Sequence, residues 1–461
     1  MSRSQRLILT IAILASFVAF LDGTLINVAL PAIETELGGG LTTQQWVVDA
    51  YLITLGSLIL LAGSISDAFG RLLVLRIGLY GFAAASVVIA IAPDPVILII
   101  ARAVQGAAGA FLVPSSLALI TSRFDGAMRG RAIGIWTAMT TGAMIVGPLI
   151  GGVFVDYLSW RFAFVINVVP IGITLWLLHT LGERDERRPD ARIDWIGTAL
   201  CTFGLGGAVF ALIEQPNLGW GSPVIWATFA AGILLFALFL WRQRSATAPM
   251  LPLDLFRIRN FWTGNIATLF VYAALSLNGF VVTVYLQQEA GFSATLAGLA
   301  SLPTTVMMVL LSASMGSLSD RFGPRIFMTV GPLVMAGGSL LLLTVTDPVN
   351  YWLQLLPGLI LFGLGLAITV SPLTAAILGA VDPARSGIAS AVNNAIARIA
   401  GLLIIATLAT IVAGSLDLDG FRRAAIVTAG LMVAGGIVSF LGIRNSDVAP
   451  VENRAEPATG A

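Results

Sequence analysis

The sequence has 461 residues, of which 57% are hydrophobic and only 11% charged, and its mean hydropathy is +0.93. An ordinary soluble domain carries roughly 25% charged residues, so this composition excludes a soluble enzyme, a secreted disulfide scaffold and a disordered protein. The net charge of +1 excludes a basic field for nucleic acid. One cysteine, Cys201, and one histidine, His179, exclude an intrachain disulfide, a CxxC site and a histidine-based metal site.

Apolar runs long enough to cross a membrane recur along the whole chain. A spanning helix needs about 20 mostly apolar residues, whereas a membrane β-strand needs about 9–11 that alternate with polar ones. We predict fourteen spanning helices, over residues 7–30, 46–66, 73–93, 96–121, 130–157, 161–181, 193–214, 222–242, 260–289, 294–318, 324–346, 350–379, 384–414 and 421–443. The chain is therefore predicted to be an all-α integral membrane protein.

The N-terminal run and the arginines predict the orientation. Arg3 and Arg6 precede the first run as in a signal peptide, but this run contains Asp22 and lacks an A-x-A cleavage site, so we expect a retained helix. Cytoplasmic loops are enriched in basic residues. With the N-terminus in the cytoplasm, 19 of the 25 arginines fall on cytoplasmic segments, three on the outer side and three within spans. We predict a multi-pass protein of the cytoplasmic (inner) membrane with both termini in the cytoplasm.

One segment of the first half recurs in the second half. GSISDAFGR at 63–71 returns as GSLSDRFGPR at 316–325, so Gly63 and Gly316 are separated by 253 positions. Further pairs at offsets of 254 or 256 are Arg131 with Arg385, Gly147 with Gly401, and Asp22-Gly23 with Asn278-Gly279. Ordered pairs at nearly one offset predict two homologous halves of six helices each.

The offset is longer than six helices require, and the seventh and eighth spans account for the excess. The predicted fold is therefore two pseudo-symmetric six-helix bundles plus two inserted helices. Its predicted parts are an N-terminal bundle over 1–182, a linker with the inserted helices over 183–250, a C-terminal bundle over 251–445 and a disordered cytoplasmic tail over 446–461.

Several motifs are specific enough to suggest a family. The loop GSISDAFGRLL matches G-x-L-A-D-R-x-G-R-K but has Ala68 and Leu72 where basic residues are usual. Arg102 and Gln105 fit R-x-x-Q-G, and GAMIVGPLIGG at 142–152 fits G-x-x-x-x-G-P-x-x-G-G. Further matches are LDGTLINVALP at 21–31, WRFAFVIN at 160–167, IDWIG at 193–197 and PLDLFRIRNF at 252–261. By these motifs the chain resembles the major facilitator superfamily, and more narrowly its fourteen-span drug:proton antiporter branch. The resemblance implies the major facilitator fold and export in exchange for protons.

Asp22 is the candidate for the coupling proton. A carboxylate within a span is costly and usually functional, and a carboxyl that balances burial against a nearby cation can load and lose a proton. Arg102 is the predicted partner. Asp22 lies nine residues before Pro31 and Arg102 seven residues after Pro95, which places both at similar depth. The alternative is a structural role, as a hydrogen-bonding aspartate or a fixed ion pair.

Six further polar side chains within spans are candidates for the wall of a substrate cavity, namely Asn27, Asp49, Gln105, Asn278, Asn393 and Asn394. Asp49 can bind a cationic substrate or a second proton, or it can be solvated near the outer face. The uncharged residues can equally form hydrogen bonds across helices. Arg102 and Arg398 offset the deep acids Asp22 and Asp49, so we expect monocationic or neutral amphipathic substrates rather than dications.

The repeated loop predicts a gate on the cytoplasmic side. The resemblance implies that Asp67 and Arg71 hold the bundles together near the start of the thirteenth span while the gate is closed. It implies the same role for Asp320 and Arg325 against the fifth span. The other predicted gate residues are Gly63, Gly70, Arg131, Gly316, Gly323 and Arg385. A tight turn fixed by the glycines is the alternative.

The fifth span carries the motif that is typical of antiporters. Its candidate residues are Gly142, Gly147, Pro148, Gly151 and Gly152. The glycines permit close approach of a neighbouring helix, and the proline loosens the helix locally. We expect the motif to pack this helix tightly and to limit leak through the empty carrier, with pure packing as the alternative.

The predicted function is that of a drug:proton antiporter, not an enzyme, in which two bundles rock about a central site. We expect no cofactor and no metal, because the proton gradient supplies the energy and the sequence has no P-loop. The expected partners are a small amphipathic molecule, protons and the bilayer, without nucleic acid, and the chain is expected to be a monomer. The alternatives are a dedicated exporter of a metabolite, lipid or antibiotic, a nutrient symporter or uniporter, and a membrane-embedded enzyme or receptor.

Overall fold

A computed structural model describes residues 1–182, 185, 193–246, 249–382 and 385–445, without the side chains of Asp67 and Ala127. Within these ranges every element of regular secondary structure is a helix. Fourteen helical segments are long and apolar enough to cross a membrane, which confirms the predicted number. They are α1 (Arg3–Leu37), α2 (Gly40–Ser66), α3 (Arg71–Ala90), α4 (Pro95–Arg123), α5 (Met128–Tyr157), α6 (Phe162–Leu181), α7 (Trp195–Leu218), α8 (Pro223–Ser245), α9 (Arg259–Gln288), α10 (Ala294–Phe322), α11 (Pro324–Thr344), α12 (Tyr351–Gly379), α13 (Ser386–Ala406) and α14 (Leu418–Gly442). The predicted tail over 446–461 lies outside the described residues.

The predicted run 384–414 is divided into α13 and a short helix over Leu408–Ile411, and two further segments are each broken into two helical pieces. The pieces are Pro95–Gly109 and Leu112–Arg123 in α4, and Phe162–Val165 and Val168–Leu181 in α6. Proline explains both breaks, because it has no N–H for the carbonyl four residues earlier and its ring crowds that carbonyl. For Pro114 and Pro170 these carbonyls belong to Ala110 and Ile166, which lie in the two breaks. The second break also contains Asn167, which therefore lies between two helical pieces rather than within a continuous helix.

The helices form two bundles with the same pairings. In the N-terminal bundle α1 packs against α5 and α6, α2 against α4, and α3 against α4 and α6. In the C-terminal bundle α9 packs against α13 and α14, α10 against α12, and α11 against α12 and α14. Each pairing in one bundle therefore has its counterpart eight helices later, which is the relationship that the internal repeat predicts.

The inserted helices α7 and α8 pack against each other, and α7 lies along α2. Near one end Trp46 Nε1 donates to Glu214 Oε1 at 2.7 Å, and further along Thr202 Oγ1 donates to Ser57 Oγ at 2.9 Å. α7 also contacts α13 of the other bundle. The insertion therefore covers the seam where α2 and α13 meet, and its firmest polar attachment is to the N-terminal bundle.

The bundles touch at one end. We call the end that holds Arg3 of α1 and Gly442 of α14 the terminal end, and the opposite end the distal end. At the distal end, the two carboxylate oxygens of Asp156 in α5 accept from the N–H groups of Ala294 (2.9 Å) and Thr295 (2.8 Å) in the first turn of α10. This is a favourable place for a carboxylate, because the first N–H groups of a helix have no partner within it.

A second distal contact lies between the corresponding helices α2 and α13. Gln45 Nε2 donates to the carbonyl oxygen of Ile405 at 2.6 Å and to that of Ala406 at 3.2 Å. The two contacts are related by the internal repeat, since α2 corresponds to α10 and α5 to α13. The distal end is therefore closed on both sides of the bundle interface.

Glycine permits the close approach of α5 and α10. A Cβ added to Gly152 would lie 2.5 Å from the Cα of Thr295, and one added to Gly298 would lie 2.6 Å from the carbonyl oxygen of Pro148. Gly152 and Pro148 belong to the predicted antiporter motif, which therefore takes part in the contact between the bundles.

The other glycines of the motif differ in their surroundings. A Cβ on Gly147 would meet Thr24 of α1, and one on Gly151 would meet Leu25 of the same helix. Gly142 has open space at this position, with no atom within 4 Å. One motif thus holds α5 against α1 within its own bundle and against α10 of the other bundle.

We expect Gly152→Ala to open the distal contact. The added Cβ meets backbone atoms of α10, which cannot move aside as a flexible side chain can. Overpacking of this kind costs about 1–3 kcal/mol, so the open population, and with it the labelling rate of a cysteine in the contact, should rise roughly tenfold. The measurement is labelling by a water-soluble maleimide of Ala294→Cys in a Cys201→Ser background, because Ala294 is only 3% exposed while the contact is closed.

Gly142→Ala is the matched control, since it makes the same change in the same helix where the new Cβ meets no atom within 4 Å. It should label like the parent protein. Equal labelling rates in the two alanine variants would contradict the role of Gly152 in keeping the distal end closed.

Candidate functional site

The structure brings Asp22 of α1 and Arg102 of α4 into contact inside the N-terminal bundle. Arg102 Nη1 lies 2.7 Å from Asp22 Oδ2, and each side chain is only 1% exposed. The similar depth that the flanking prolines indicate is therefore accompanied by a direct ion pair. Removing one partner of such a buried pair typically costs about 3–5 kcal/mol, because the other charge is left without compensation.

Two amides complete the coordination of the Asp22 carboxylate. Gln105 Nε2 donates to Asp22 Oδ1 at 3.1 Å, and Asn167 Nδ2 donates to the same oxygen at 3.0 Å. Ser86 Oγ lies beyond them and accepts from Gln105 Nε2 at 2.9 Å. The network therefore joins α1, α3, α4 and α6 around one carboxylate.

Arg102 has partners besides Asp22. Its Nε donates to the carbonyl oxygen of Val47 at 3.0 Å, and its Nη1 donates to Gln105 Oε1 at 2.6 Å. The guanidinium carbon lies 4.4 Å from the centre of the Tyr51 ring, in a cation–π arrangement. These contacts hold the guanidinium against α2 and Gln105 in addition to its bond with Asp22.

Three residues of this network, Asn167, Ser86 and Tyr51, are not predicted from the sequence. Asn167 had a signal, since it is an amide that ends the WRFAFVIN motif within an apolar run. Ser86 and Tyr51 had none, because a serine or a tyrosine in a spanning helix does not reveal which neighbour it faces. Gln105, predicted as a cavity residue, is fully buried and bonded within the network in this structure.

Asp49 of α2 has a different environment. Its side chain is fully buried, and neither carboxylate oxygen has a hydrogen-bond partner among the described residues. Oε1 of Gln45, one helical turn earlier, is likewise without a partner there. A buried charge without compensation is costly. Contact between Asp49 and a substrate therefore requires a rearrangement of the distal end, where Gln45 binds α13.

A cavity of about 390 Å³ lies between α2, α4 and α13 towards the terminal end. Its wall is mainly apolar and includes Leu60 and Val113, while Asn394 supplies an amide and Gly63 of the loop motif lies at its border. No carboxylate occurs in its described lining. Of the six predicted cavity residues, Asn394 is the one that the structure places on this wall.

The remaining predicted cavity residues lie elsewhere. Asn393 Nδ2 donates to Thr268 Oγ1 at 2.7 Å and to Asn265 Oδ1 at 3.2 Å, both in α9. For Asn393 the structure therefore agrees with the alternative of hydrogen bonding across helices. Asn27 lies opposite α9 at the interface of the bundles, and Asn278 borders a small cleft inside the C-terminal bundle.

The first copy of the loop motif forms a tight turn between α2 and α3. Gly70 has a φ of +100°, and a Cβ there would lie 2.5 Å from the carboxyl carbon of Asp185. The Asp185 carboxylate accepts from the N–H groups of Leu72 (2.8 Å) and Leu73 (2.7 Å) at the start of α3. Arg71 Nη1 donates to a carbonyl of α4 at 3.2 Å. The turn thus depends on glycine and on an acidic cap that comes from the segment after α6.

The second copy of the motif has the same construction. Gly323 has a φ of +82°, and a Cβ there would collide with the side chain of Asn445. Asn445 Oδ1 accepts from the N–H of Arg325 at 3.2 Å, as Asp185 does for the start of α3. Arg325 Nε donates to the carbonyl of Phe440 in α14 at 2.9 Å. Each loop motif is therefore capped by a residue that follows the sixth helix of its own half.

The predicted contact of the second loop with α5 is not made in this arrangement. Asp320 and Arg131 are exposed, and among the residues that the structure describes neither side chain has a hydrogen bond or an ion pair. The bundles meet at the distal end, which leaves the terminal ends of α5 and α10 apart. Arg385 binds Asp254 at 2.6 Å, and this bond holds the pKa of Asp254 below its usual value. The side chain of Asp67 lies outside the description.

Comparisons with known proteins agree with the fold and with the motifs. The sequence profile of the Major Facilitator Superfamily matches residues 12–404 and 264–460. The chain is 35% identical to the puromycin resistance protein pur8 of Streptomyces alboniger, over 88% of this chain and 82% of that protein. It is 34% identical to the methylenomycin A resistance protein of Bacillus subtilis, over 88% of this chain and 87% of that protein. It is 33% identical to the multidrug resistance protein Stp of Mycobacterium tuberculosis, over 90% of this chain and 78% of that protein.

Solved structures with little sequence similarity share the fold. The crystal structure of a D-xylose-proton symporter matches with a TM-score of 0.70 at 17% identity, over 95% of this chain and 98% of that chain. A peptide transporter of the POT group also matches with a TM-score of 0.70 at 14% identity, over 94% of this chain and 93% of that chain. On the profile match, the resistance-protein relatives and the fourteen spanning helices, this chain is a multi-pass membrane transporter that belongs to the major facilitator superfamily.

Proposed function

We propose that the protein exports amphipathic monocationic or neutral compounds in exchange for protons. The observation that carries the proposal is the buried pair of Asp22 and Arg102, whose carboxylate has donors on both oxygens. Relatives named for puromycin, methylenomycin A and multidrug resistance support export as the direction of transport. The proton gradient supplies the energy, so the proposal includes no cofactor, and the functional unit is one chain.

The proposed cycle is alternating access in the cytoplasmic membrane, with both termini in the cytoplasm. In this orientation the distal contacts of Asp156 and Gln45 close the outer side. The cavity between α2, α4 and α13 then lies on the cytoplasmic side and receives the substrate. Rocking of one bundle against the other opens the distal end and releases the substrate outside.

Coupling follows from the charge of one carboxylate. Protonation of Asp22 cancels its attraction for Arg102 and changes how α1 packs against α4. Thr24, half a turn further along α1, contacts Gly147 of α5, and α5 forms the distal contact with α10. A proton at Asp22 therefore acts on the helix that closes the outer side. Exchange requires that proton and substrate disfavour each other's binding.

The relatives also support a second candidate, a dedicated exporter of one antibiotic on the same fold. Two of them are named for resistance to a single compound, puromycin or methylenomycin A, whereas Stp is named for multidrug resistance. A transport panel separates the two candidates, because a dedicated exporter moves one compound and leaves chemically unrelated cations and neutral dyes untouched.

Asp22→Asn should abolish proton-driven transport. The amide keeps the size of the side chain but cannot exchange a proton, so it should reduce uptake to the level of vesicles that lack the protein. The measurement is uptake of a fluorescent lipophilic monocation by everted membrane vesicles with an acidic interior, at equal protein levels in the membrane. Asp125→Asn is the control, since the Asp125 carboxylate is exposed and pairs at the surface with Arg129. Full proton-driven uptake by Asp22→Asn would refute the proposal.

The substrate class is tested with the same vesicles. The described lining of the cavity holds no carboxylate and includes Arg71, so each positive charge on a substrate is uncompensated there and a dication bears this cost twice. We expect a monocation to accumulate and its dicationic analogue of similar apolar area to remain at background. Strong accumulation of the dication without the monocation would contradict this assignment, whatever the result with Asp22→Asn.

A further inference from the structure

Asn167 is a buried amide that uses only half of its hydrogen-bonding capacity. Its Nδ2 donates to Asp22 Oδ1 at 3.0 Å and lies 3.5 Å from Ser86 Oγ. Its Oδ1 is buried and has no partner among the described residues. Buried polar atoms are normally satisfied, so an orphaned acceptor beside the coupling carboxylate calls for a physical reason.

We propose that Asn167 is a positioning residue that bonds Asp22 in both protonation states. While Asp22 is ionised, the amide donates to it through Nδ2, as observed. When Asp22 takes a proton on Oδ1 from water on the open side of the carrier, the new O–H needs an acceptor. Rotation of the Asn167 amide by half a turn brings its orphaned Oδ1 to that O–H, since both edges of an amide occupy nearly the same space. No covalent bond changes in this exchange apart from the transfer of the proton.

Gln105 cannot perform this exchange as readily. Its Nε2 also donates to Asp22 Oδ1, but its Oε1 accepts from Arg102 Nη1 at 2.6 Å. Turning the Gln105 amide would break that bond to the cation and point an NH₂ group at it. The Asn167 oxygen has no such bond among the described residues, and turning this amide breaks only the long 3.5 Å bond from Nδ2 to Ser86 Oγ besides the bond to Asp22, so of the two amides it turns at the lower cost.

The break in α6 favours this freedom. Asn167 lies between the helical pieces Phe162–Val165 and Val168–Leu181, where Pro170 removes the regular backbone bond. The terminal torsion of an asparagine side chain has a broad energy profile rather than sharp staggered wells. Rotation of the amide is therefore a local event that leaves the backbone in place.

Few other groups can contribute to a pH dependence at this site. The charged group against Asp22 is Arg102 of α4, and Tyr51 of α2 interacts electrostatically with both. Arg398 of α13 acts on Tyr51 from the other bundle. From α3 and α6 the contacts are those of Ser86 and Asn167, which do not titrate, and from α5 glycines of the antiporter motif face α1.

The test is the pH dependence of proton-driven uptake in Asn167→Leu, which removes donor and acceptor at similar size. A bond to an ionised carboxylate is stronger than one from a neutral carboxyl, so losing both favours protonated Asp22. We expect the pH midpoint to rise by roughly one pH unit. Asn393→Leu is the matched control, because it removes an amide that bonds Asn265 and Thr268 rather than Asp22. An unchanged midpoint in Asn167→Leu would overturn the proposal.

Infrared difference spectroscopy of the purified protein tests the acceptor half without needing transport. The carbonyl band that appears on acidification and is absent from Asp22→Asn belongs to protonated Asp22. It should shift in Asn167→Leu, where the O–H has lost its acceptor, and stay in place in Asn393→Leu. A band that does not move in Asn167→Leu would overturn the two-state role. If the leucine variant fails to reach the membrane, Asn167→Ser, which keeps a hydroxyl, should give a smaller shift in the same direction.

This inference rests on the proposed coupling at Asp22, but the two fail differently. If Asp22→Asn still couples transport to protons, both the proposed function and the role of Asn167 are refuted. Loss of coupling in Asp22→Asn together with an unshifted pH profile and an unshifted band in Asn167→Leu leaves the proposed function intact and removes only the role of Asn167.

Discussion

The ion pair of Asp22 and Arg102 is the interaction that fixes how four helices of the N-terminal bundle are rotated against one another. Each charge is 1% exposed, so neither is tolerable without the other or without the donors around them. This requirement brings α1, α3, α4 and α6 to one point through Ser86, Gln105 and Asn167. The apolar surfaces of these helices would permit many rotations, and the polar network selects one of them.

The same pair lies next to the contacts that close the distal end. Thr24 follows Asp22 by two residues and packs on Gly147, while Pro148 and Gly152 of the same motif pack on α10. A change in the packing of α1 is therefore transmitted by direct contact to the helix that carries Asp156. The helices α5 and α10 meet through glycine and backbone atoms, so no flexible side chain can adjust to fill a gap between them. A small movement of α5 is therefore enough to break the contact.

The sequence predicts well how deep a residue lies along its spanning helix, and poorly which neighbouring helix its side chain faces. Helix rise fixes depth, so two prolines were sufficient to place Asp22 and Arg102 at the same level. Which neighbour Asn167 faces depends on the break before Pro170, and a count of apolar residues does not register that break. The predicted latch of Asp320 is not formed in this arrangement, in which the bundles meet at the distal end, and the sequence does not reveal which end that is. The cap on α3 could not be foreseen, since Asp185 is distant in sequence from the turn it stabilises.

The C-terminal bundle indicates that the pairings between helices do not require the ion pair. It repeats every helix pairing of the N-terminal bundle, yet the residue equivalent to Asp22 is the amide Asn278, which borders a small cleft. The motifs before and after α4 repeat at offsets of 253 and 254, so Arg102 corresponds to Leu355 or Leu356, which carries no charge. One sequence thus builds the same six-helix arrangement with and without this pair. A buried ion pair adds little stability over apolar residues of similar volume, so stability alone does not explain the pair in the N-terminal half, whereas the charge change that it permits does.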